Sequence, residues 1–292
     1  MFVLAHLSDP HIPPLPRPRL VDLAGKRLLG FVNWGLRRKA LHQAEVLAAV
    51  VADLKAARPD HVVVTGDLAN IALAAEFAPA RAWLDRLGDP RDVTVIPGNH
   101  DAYVRSTAAH AMQHWAPYMR GDDGSQSSDF PFVRRRGPLA LIALSSALPT
   151  GLFMATGRLG RAQLSRLAGH LARLAGEGAF RVVLIHHPPA GTRPWHKRLT
   201  DAKALLEVLR AHGAELVLHG HDHCRSVVDI AGPSASIPVV GVSSASAHEH
   251  DPAGYNLYRI DGSVGRWRCE MVARGHACGT RFVDLDRRML IG

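Results

Sequence analysis

Five short runs rich in Val, Ile and Leu each end in a cluster of residues able to ligate a metal. Residues 2–7 lead into Asp9-Pro10-His11, 61–65 into Gly66-Asp67, and 92–96 into Gly98-Asn99-His100-Asp101. Residues 181–185 lead into His186-His187, and 215–218 into Gly220-His221-Asp222-His223. Short apolar runs bounded by Gly, Pro or Asp read as buried strands, and a sixth lies at 139–144. Apolar residues at helical spacing fill 41–57, 74–87, 160–175 and 201–211. Pro59 and Gly88 stop the first two, and Thr200 or Asp201 is placed to cap the last. Strands alternating with helices predict an α/β fold with covered sheets. Ligands in such folds gather beyond the carboxyl ends of the strands, so pattern and chemistry agree on one edge. The tail is different: 237–242, 255–260 and 267–272 predict a late β-rich stretch.

The donors in these clusters are Asp9, His11, Asp67, Asn99, His186, His221 and His223. Carboxylate, amide oxygen and imidazole suit Mn²⁺, Fe²⁺ or Zn²⁺ better than Ca²⁺. Two such ions about 3.5–4 Å apart can hold a phosphoryl group together with the attacking water. A carboxylate has to lie between them to offset their repulsion. Asp67, behind a glycine that lets the chain turn sharply, is the candidate bridge. Taken singly, each cluster also reads as a loop histidine, a turn or a strand end. The five in series argue for a dinuclear centre. The three cysteines, Cys224, Cys269 and Cys278, form no CxxC motif and point to a reducing compartment.

The whole set resembles the calcineurin-like metallophosphoesterase family. Its blocks D-x-H, G-D-x-x, G-N-H-D/E, a lone His after a strand, and G-H-x-H occur here in order across residues 9–223. The resemblance implies two packed mixed β-sheets flanked by helices, a four-layer αββα sandwich. It places Asp9, His11 and His223 on one metal and Asn99, His186 and His221 on the other, with Asp67 shared. The implied reaction is hydrolysis of a phosphoric ester by in-line attack of a hydroxide generated at the metals. His100 is the expected proton donor to the leaving group, because His titrates near neutral pH. Asp101 either orients His100 or caps a following helix. His187 is expected in the pocket wall, His219 in the core, and the loop 246–251 in solvent. The GNHD and GHDH blocks look like those of bacterial cyclic-nucleotide phosphodiesterases, so a phosphodiester of that type leads. The alternative is a lipid-linked phosphoester or pyrophosphate such as UDP-diacylglucosamine. An alternative of another class is a non-catalytic metal-binding scaffold.

One segment, 13–39, lies outside the family blocks. It opens with four prolines among basic residues, and its second half is apolar with basic ends. Leu28, Phe31, Trp34, Arg37 and Arg38 are candidates either to meet an anionic bilayer or to pack as a lid. Two glycines weaken a helix there. Arg134-Arg135-Arg136 reads as a solvated hairpin edge. The formal charge of +9 favours an anionic partner such as a phosphoester substrate, or simply keeps the protein in solution. Aromatic and basic residues do not interleave as they would along a bound strand, so nucleic acid is not expected. A chain of 292 residues, 47% hydrophobic, can form a single domain over 1–292 carrying the 13–39 insert. No apolar stretch is long enough to span a bilayer, and no leader pattern precedes Asp9. The expected location is cytoplasmic, peripheral at the inner membrane face if the insert meets lipid.

Overall fold

The computed structural model describes residues 1–23, 25–104, 113–124, 129–249, 251–276 and 281–292; Cys278 and His250 lie outside them. The strands are β1 (Phe2–Leu7), β2 (His61–Val64), β3 (Val93–Val95), β4 (Phe132–Arg136), β5 (Leu139–Ala143) and β6 (Phe180–Leu184). They continue with β7 (Leu216–His219), β8 (Ser226–Ala231), β9 (Ser236–Gly241), β10 (Gly254–Asp261), β11 (Arg268–His276) and β12 (Phe282–Ile291). The helices are α1 (Lys26–Asn33), α2 (Ala44–Ala56), α3 (Ala74–Leu87), α4 (Arg161–Gly176) and α5 (Ala202–His212).

Two six-stranded mixed sheets form, in the orders β12-β11-β10-β1-β2-β3 and β4-β5-β6-β7-β9-β8. The neighbours β1, β2 and β3 are parallel, as are β5, β6, β7 and β9. Antiparallel strands complete each sheet. Alternation along single strands explains how the layers stack. In β5, Leu139, Leu141 and Ala143 join the core shared with the first sheet. Ala140, Ile142 and Leu144 join a second core with Leu164, Leu167, Leu171 and Leu174 of α4 and Leu205 and Leu209 of α5. Val182 and Leu184 of β6 face the first core, and Val183 and Ile185 the second.

Each run read as a strand from sequence forms one, and the helices agree within a few residues. Three strands escape the apolar pattern. β8 and β12 are edge strands with few buried residues, and β4 carries three arginines. Arg134 corrects the solvated-edge reading: its guanidinium is buried and donates to the carbonyls of Pro90, Val93, Pro117 and Arg120. The helix expected over 41–57 starts later, because His42 and Gln43 are extended.

The second half of the 13–39 insert is helical despite its glycines. α1 runs into a π-helical stretch, Trp34–Arg38, and a last turn, Lys39–Leu41. Phe31 and Trp34 stack at 6.3 Å and pack on Leu15, Ile71 and Leu73. Of the five residues marked for a membrane or lid contact, these two therefore face the body, and Arg38 turns into the cleft. Leu28 and Arg37 stay exposed.

Candidate metal centre

The seven expected ligands lie at the carboxyl ends of β1, β2, β3, β6 and β7, where the two sheets meet. Asp9, His11, Asp67, His221 and His223 all have positive φ, between 34° and 75°. A left-handed backbone is strained for any residue with a Cβ, and such strain collects where function fixes a side chain. The motif glycines answer to close approach. A Cβ on Gly98 would strike the Asp67 carboxylate, and one on Gly220 would strike Ser8 and Asp9.

Asp67 stands at the middle. Its Oδ1 accepts from the His100 N–H at 2.7 Å, while Oδ2 is 3.4 Å from His186 Nε2 and 3.8 Å from His11 Nε2. Asn99 Oδ1 is 3.2 Å from His186 Nε2, and His223 Nε2 is 3.4 Å from Asp9 Oδ1. One oxygen of Asp67 thus lies within 4 Å of an imidazole from each sheet. Candidate ligand atoms of Asp67, His186 and His221 lie within 4.8 Å of one another.

Each histidine has one ring nitrogen occupied by a group that can only accept. His11 Nδ1 donates to the Ala69 carbonyl, His186 Nδ1 to the Thr65 carbonyl, and His223 Nδ1 to the Glu249 carboxylate. His221 Nε2 donates to the Lys197 carbonyl. Once neutral, an imidazole so engaged can offer a lone pair at its other nitrogen, which is how ligating histidines are oriented; His11 Nε2 here accepts from Arg38.

The electrostatics are those of a cation site. Asp9 and Asp67 are buried, and Asp9 Oδ1 makes no hydrogen bond but lies 3.4 Å from His223 Nε2. A buried carboxylate is costly unless a cation meets it. Burial opposes the charged form of His223, but Asp9 beside it outweighs burial and lifts its pKa to about 9. Asp67 likewise lifts His186 to about 10. Burial holds His11 and His221 well below their usual value, keeping them neutral. The oxygen and imidazole donor set, the two buried carboxylates and the anchored rings fit two divalent metals.

Residues 2–225 match the calcineurin-like phosphoesterase family. The chain belongs to that family. It is 30% identical over 258 residues to a probable cyclic nucleotide phosphodiesterase of Rhodococcus erythropolis, covering 85% of this chain and 72% of the relative. A probable cyclic nucleotide phosphodiesterase of Synechococcus sp. (strain WH7803) is 28% identical, covering 92% and 98%. A dual-specificity cAMP/cGMP phosphodiesterase of Mycobacterium tuberculosis is also 28% identical, covering 86% and 69%. A dimetal phosphatase from Danio rerio superposes with a TM-score of 0.64 over 99% of this chain and 98% of its own, at 14% identity, and so shares the fold. This phosphoesterase is a metal-dependent phosphoester hydrolase.

Asp101 neither contacts the His100 ring nor caps a helix among the described residues. Its carboxylate accepts from the backbone N–H groups of Asp67, Ala69 and Gly98 at 2.8–2.9 Å, pinning two ligand loops together. Glu76 does the same one loop further out, accepting from the N–H groups of Asn70, Ile71 and Leu73. His100 lines the cleft and donates Nδ1–H to the Asn70 carbonyl. Burial and the Arg38 guanidinium 3.1 Å away push its pKa down to about 3. His187 bonds Ser146 and the Ala155 carbonyl, and His219 is buried in β7.

Three cleft residues go beyond the ligand pattern. Arg38 donates to His11 Nε2 at 2.6 Å, and His42 is buried within 4.8 Å of ligand atoms of His11 and His223. Glu249 orients His223. His42 falls inside the helix expected over 41–57, so only its break in the helix reveals it. The loop 246–251, read as solvated, reaches the cleft through Glu249.

Proposed function

We propose that this phosphoesterase hydrolyses a phosphodiester of the cyclic-nucleotide type. In this reading Asp9, His11 and His223 hold one divalent metal, Asn99, His186 and His221 the other, and Asp67 both. The observation that carries it is the position of Asp67 Oδ2 within 4 Å of both His186 and His11, with Asp9 Oδ1 set against His223 in the same cleft. Relatives named as cyclic-nucleotide phosphodiesterases match this chain over most of its length, which supports the substrate class. Two bound cations would supply Lewis-acid activation of water and of the phosphoryl group. The chain's own residues do the rest. Arg38 and Lys197 bring positive charge to the cleft for an anionic ester. His100 faces the leaving side, where Nε2 must gain a proton before donating it. A phosphoryl anion pairing with Arg38 removes part of the charge that opposes this.

A second reading is favoured by a specific observation. Leu28, Leu29, Val32 and Leu36 are exposed beside the cleft, which suits a lipid-linked ester or pyrophosphate. A ³¹P NMR time course with Mn²⁺-loaded protein separates the two. Cyclic AMP and detergent-dispersed UDP-diacylglucosamine are offered together. Conversion of the cyclic nucleotide to a monoester is the expected result. Release of UMP with cyclic AMP intact would overturn it in favour of the second reading, and persistence of both signals would overturn both.

A further inference from the structure

The helix that crosses the cleft mouth has two apolar sides, and only one is covered. Phe31 and Trp34 point inward onto Leu15, Ile71 and Leu73. Leu28, Leu29, Val32 and Leu36 recur at i, i+1, i+4 and i+8, which at about 100° per residue is a single stripe. All four are exposed, Leu36 by 79%. Helical propensity does not require four large aliphatics in water, and packing does not use them.

The stripe is continued by two loops. Lys26 Nζ donates to Thr150 Oγ1 and the Met154 carbonyl, which brings the loop carrying Leu152 and Phe153 against α1. Ala155 N donates to the His196 carbonyl at 2.7 Å, tying in the loop that carries Trp195. Phe153 is 77% exposed and Trp195 67%. Phe153 is held at φ 60°, a left-handed backbone, with its ring turned to solvent. The same three segments line the cleft through Asn33, Leu41, Ala155 and Lys197.

Charge selects the occupant. Segments 26–41, 145–161 and 187–200 hold ten Lys or Arg residues and no Asp or Glu. Arg37, Lys39, Arg158, Lys197 and Arg198 are exposed among them. Large aliphatic and aromatic tips on segments that carry exposed cations and no acid of their own complement the boundary between headgroups and acyl chains of an anionic bilayer. Among the described residues no helix is long and apolar enough to cross a membrane, so contact is at the surface.

We propose that this rim docks on an anionic lipid surface, with the metal cleft facing the headgroups. The docking is independent of which ester is cleaved. The test is co-sedimentation of the full chain with vesicles of phosphatidylcholine alone and of phosphatidylcholine with phosphatidylglycerol. Hydrolysis of soluble bis(para-nitrophenyl) phosphate and sedimentation velocity without lipid run alongside. The wild type is expected to pellet with the anionic vesicles only, and less at high salt. A Leu28→Ser/Val32→Ser/Leu36→Ser variant, and separately Phe153→Ser, should lose about tenfold or more of that partitioning while keeping soluble-diester turnover. Wild type that stays in the supernatant overturns the proposal, as do variants that pellet like wild type. A wild-type dimer dissolved by the same substitutions would assign the stripe to a second copy and also overturn it. Because soluble-diester turnover is read separately, failure of docking and failure of the phosphodiesterase reading remain distinct.

Discussion

Five ligand positions with left-handed backbones mean that the metal site is strained before anything binds. Each such residue costs about 1–3 kcal/mol, and two buried carboxylates repel one another across the same pocket. Asp67→Asn removes one charge and the bridge together. Metal content, read by mass spectrometry, should fall well below that of wild type, and turnover should drop about 100-fold or more. The melting temperature in chelator should fall as well, because His186 loses its buried charge partner; metal content equal to that of wild type would remove Asp67 from the ligand set. His100→Ala makes a different demand. Its kcat should fall about 10²- to 10⁴-fold with metal content unchanged, and unchanged turnover would remove His100 from the reaction. Gly98→Ala should cost both metal and stability, since its Cβ has no room beside the Asp67 carboxylate.

Between elements, one polar clamp stands apart from the site. Asp53 on α2 accepts from Arg274 Nε and Nη2 on β11, each at 2.8 Å, and from the Tyr255 hydroxyl on β10 at 2.7 Å. Partial burial alone would raise the Asp53 pKa. The hydrogen bonds from Arg274 and Tyr255 outweigh it and hold the carboxyl below its usual range. A depressed folded-state pKa contributes stability above the unfolded value, near pH 4, and that contribution is lost as pH falls through the folded value. Asp53→Asn should therefore cost about 1–2 kcal/mol at pH 7. The gap to wild type should close in urea melts below about pH 4. A gap that stayed constant from pH 7 to pH 3 would rule out this ionic account.

Across the whole molecule the centre is a seam. Asp9, His11, Asp67 and Asn99 follow strands of one sheet, while His186, His221 and His223 follow strands of the other. A ligand bound by both sheets stabilises the folded chain by mass action, about 2.7 kcal/mol at a free concentration of 100 Kd. Thermal melts should rise with added Mn²⁺ and fall with chelator, and His186→Ala should flatten that response by cutting one sheet out of the site. A variant that responded like wild type would mean that metal binds without His186.

The order and identity of the seven candidate ligands can be read from the chain because each motif is local. A strand, a sharp turn and a donor lie within a few residues, and the glycines mark where backbones meet. The α/β class was legible for the same reason, from short apolar runs alternating with helices, while the two-sheet sandwich came from the family resemblance. Tertiary structure alone decided the rest. His42, Arg38 and Glu249 reach the cleft from segments without a local motif, and their placement depends on contacts with residues distant in sequence, such as Ser246, His11 and His223. Asp101 looked catalytic by adjacency, yet its partners are backbone groups on another loop. The two faces of the 26–41 helix could be separated only once the body supplied Leu15, Ile71 and Leu73 to cover one of them. Short-range pattern determines which residues can be ligands. Which side of a helix stays bare is set by what the remainder of the chain brings against it.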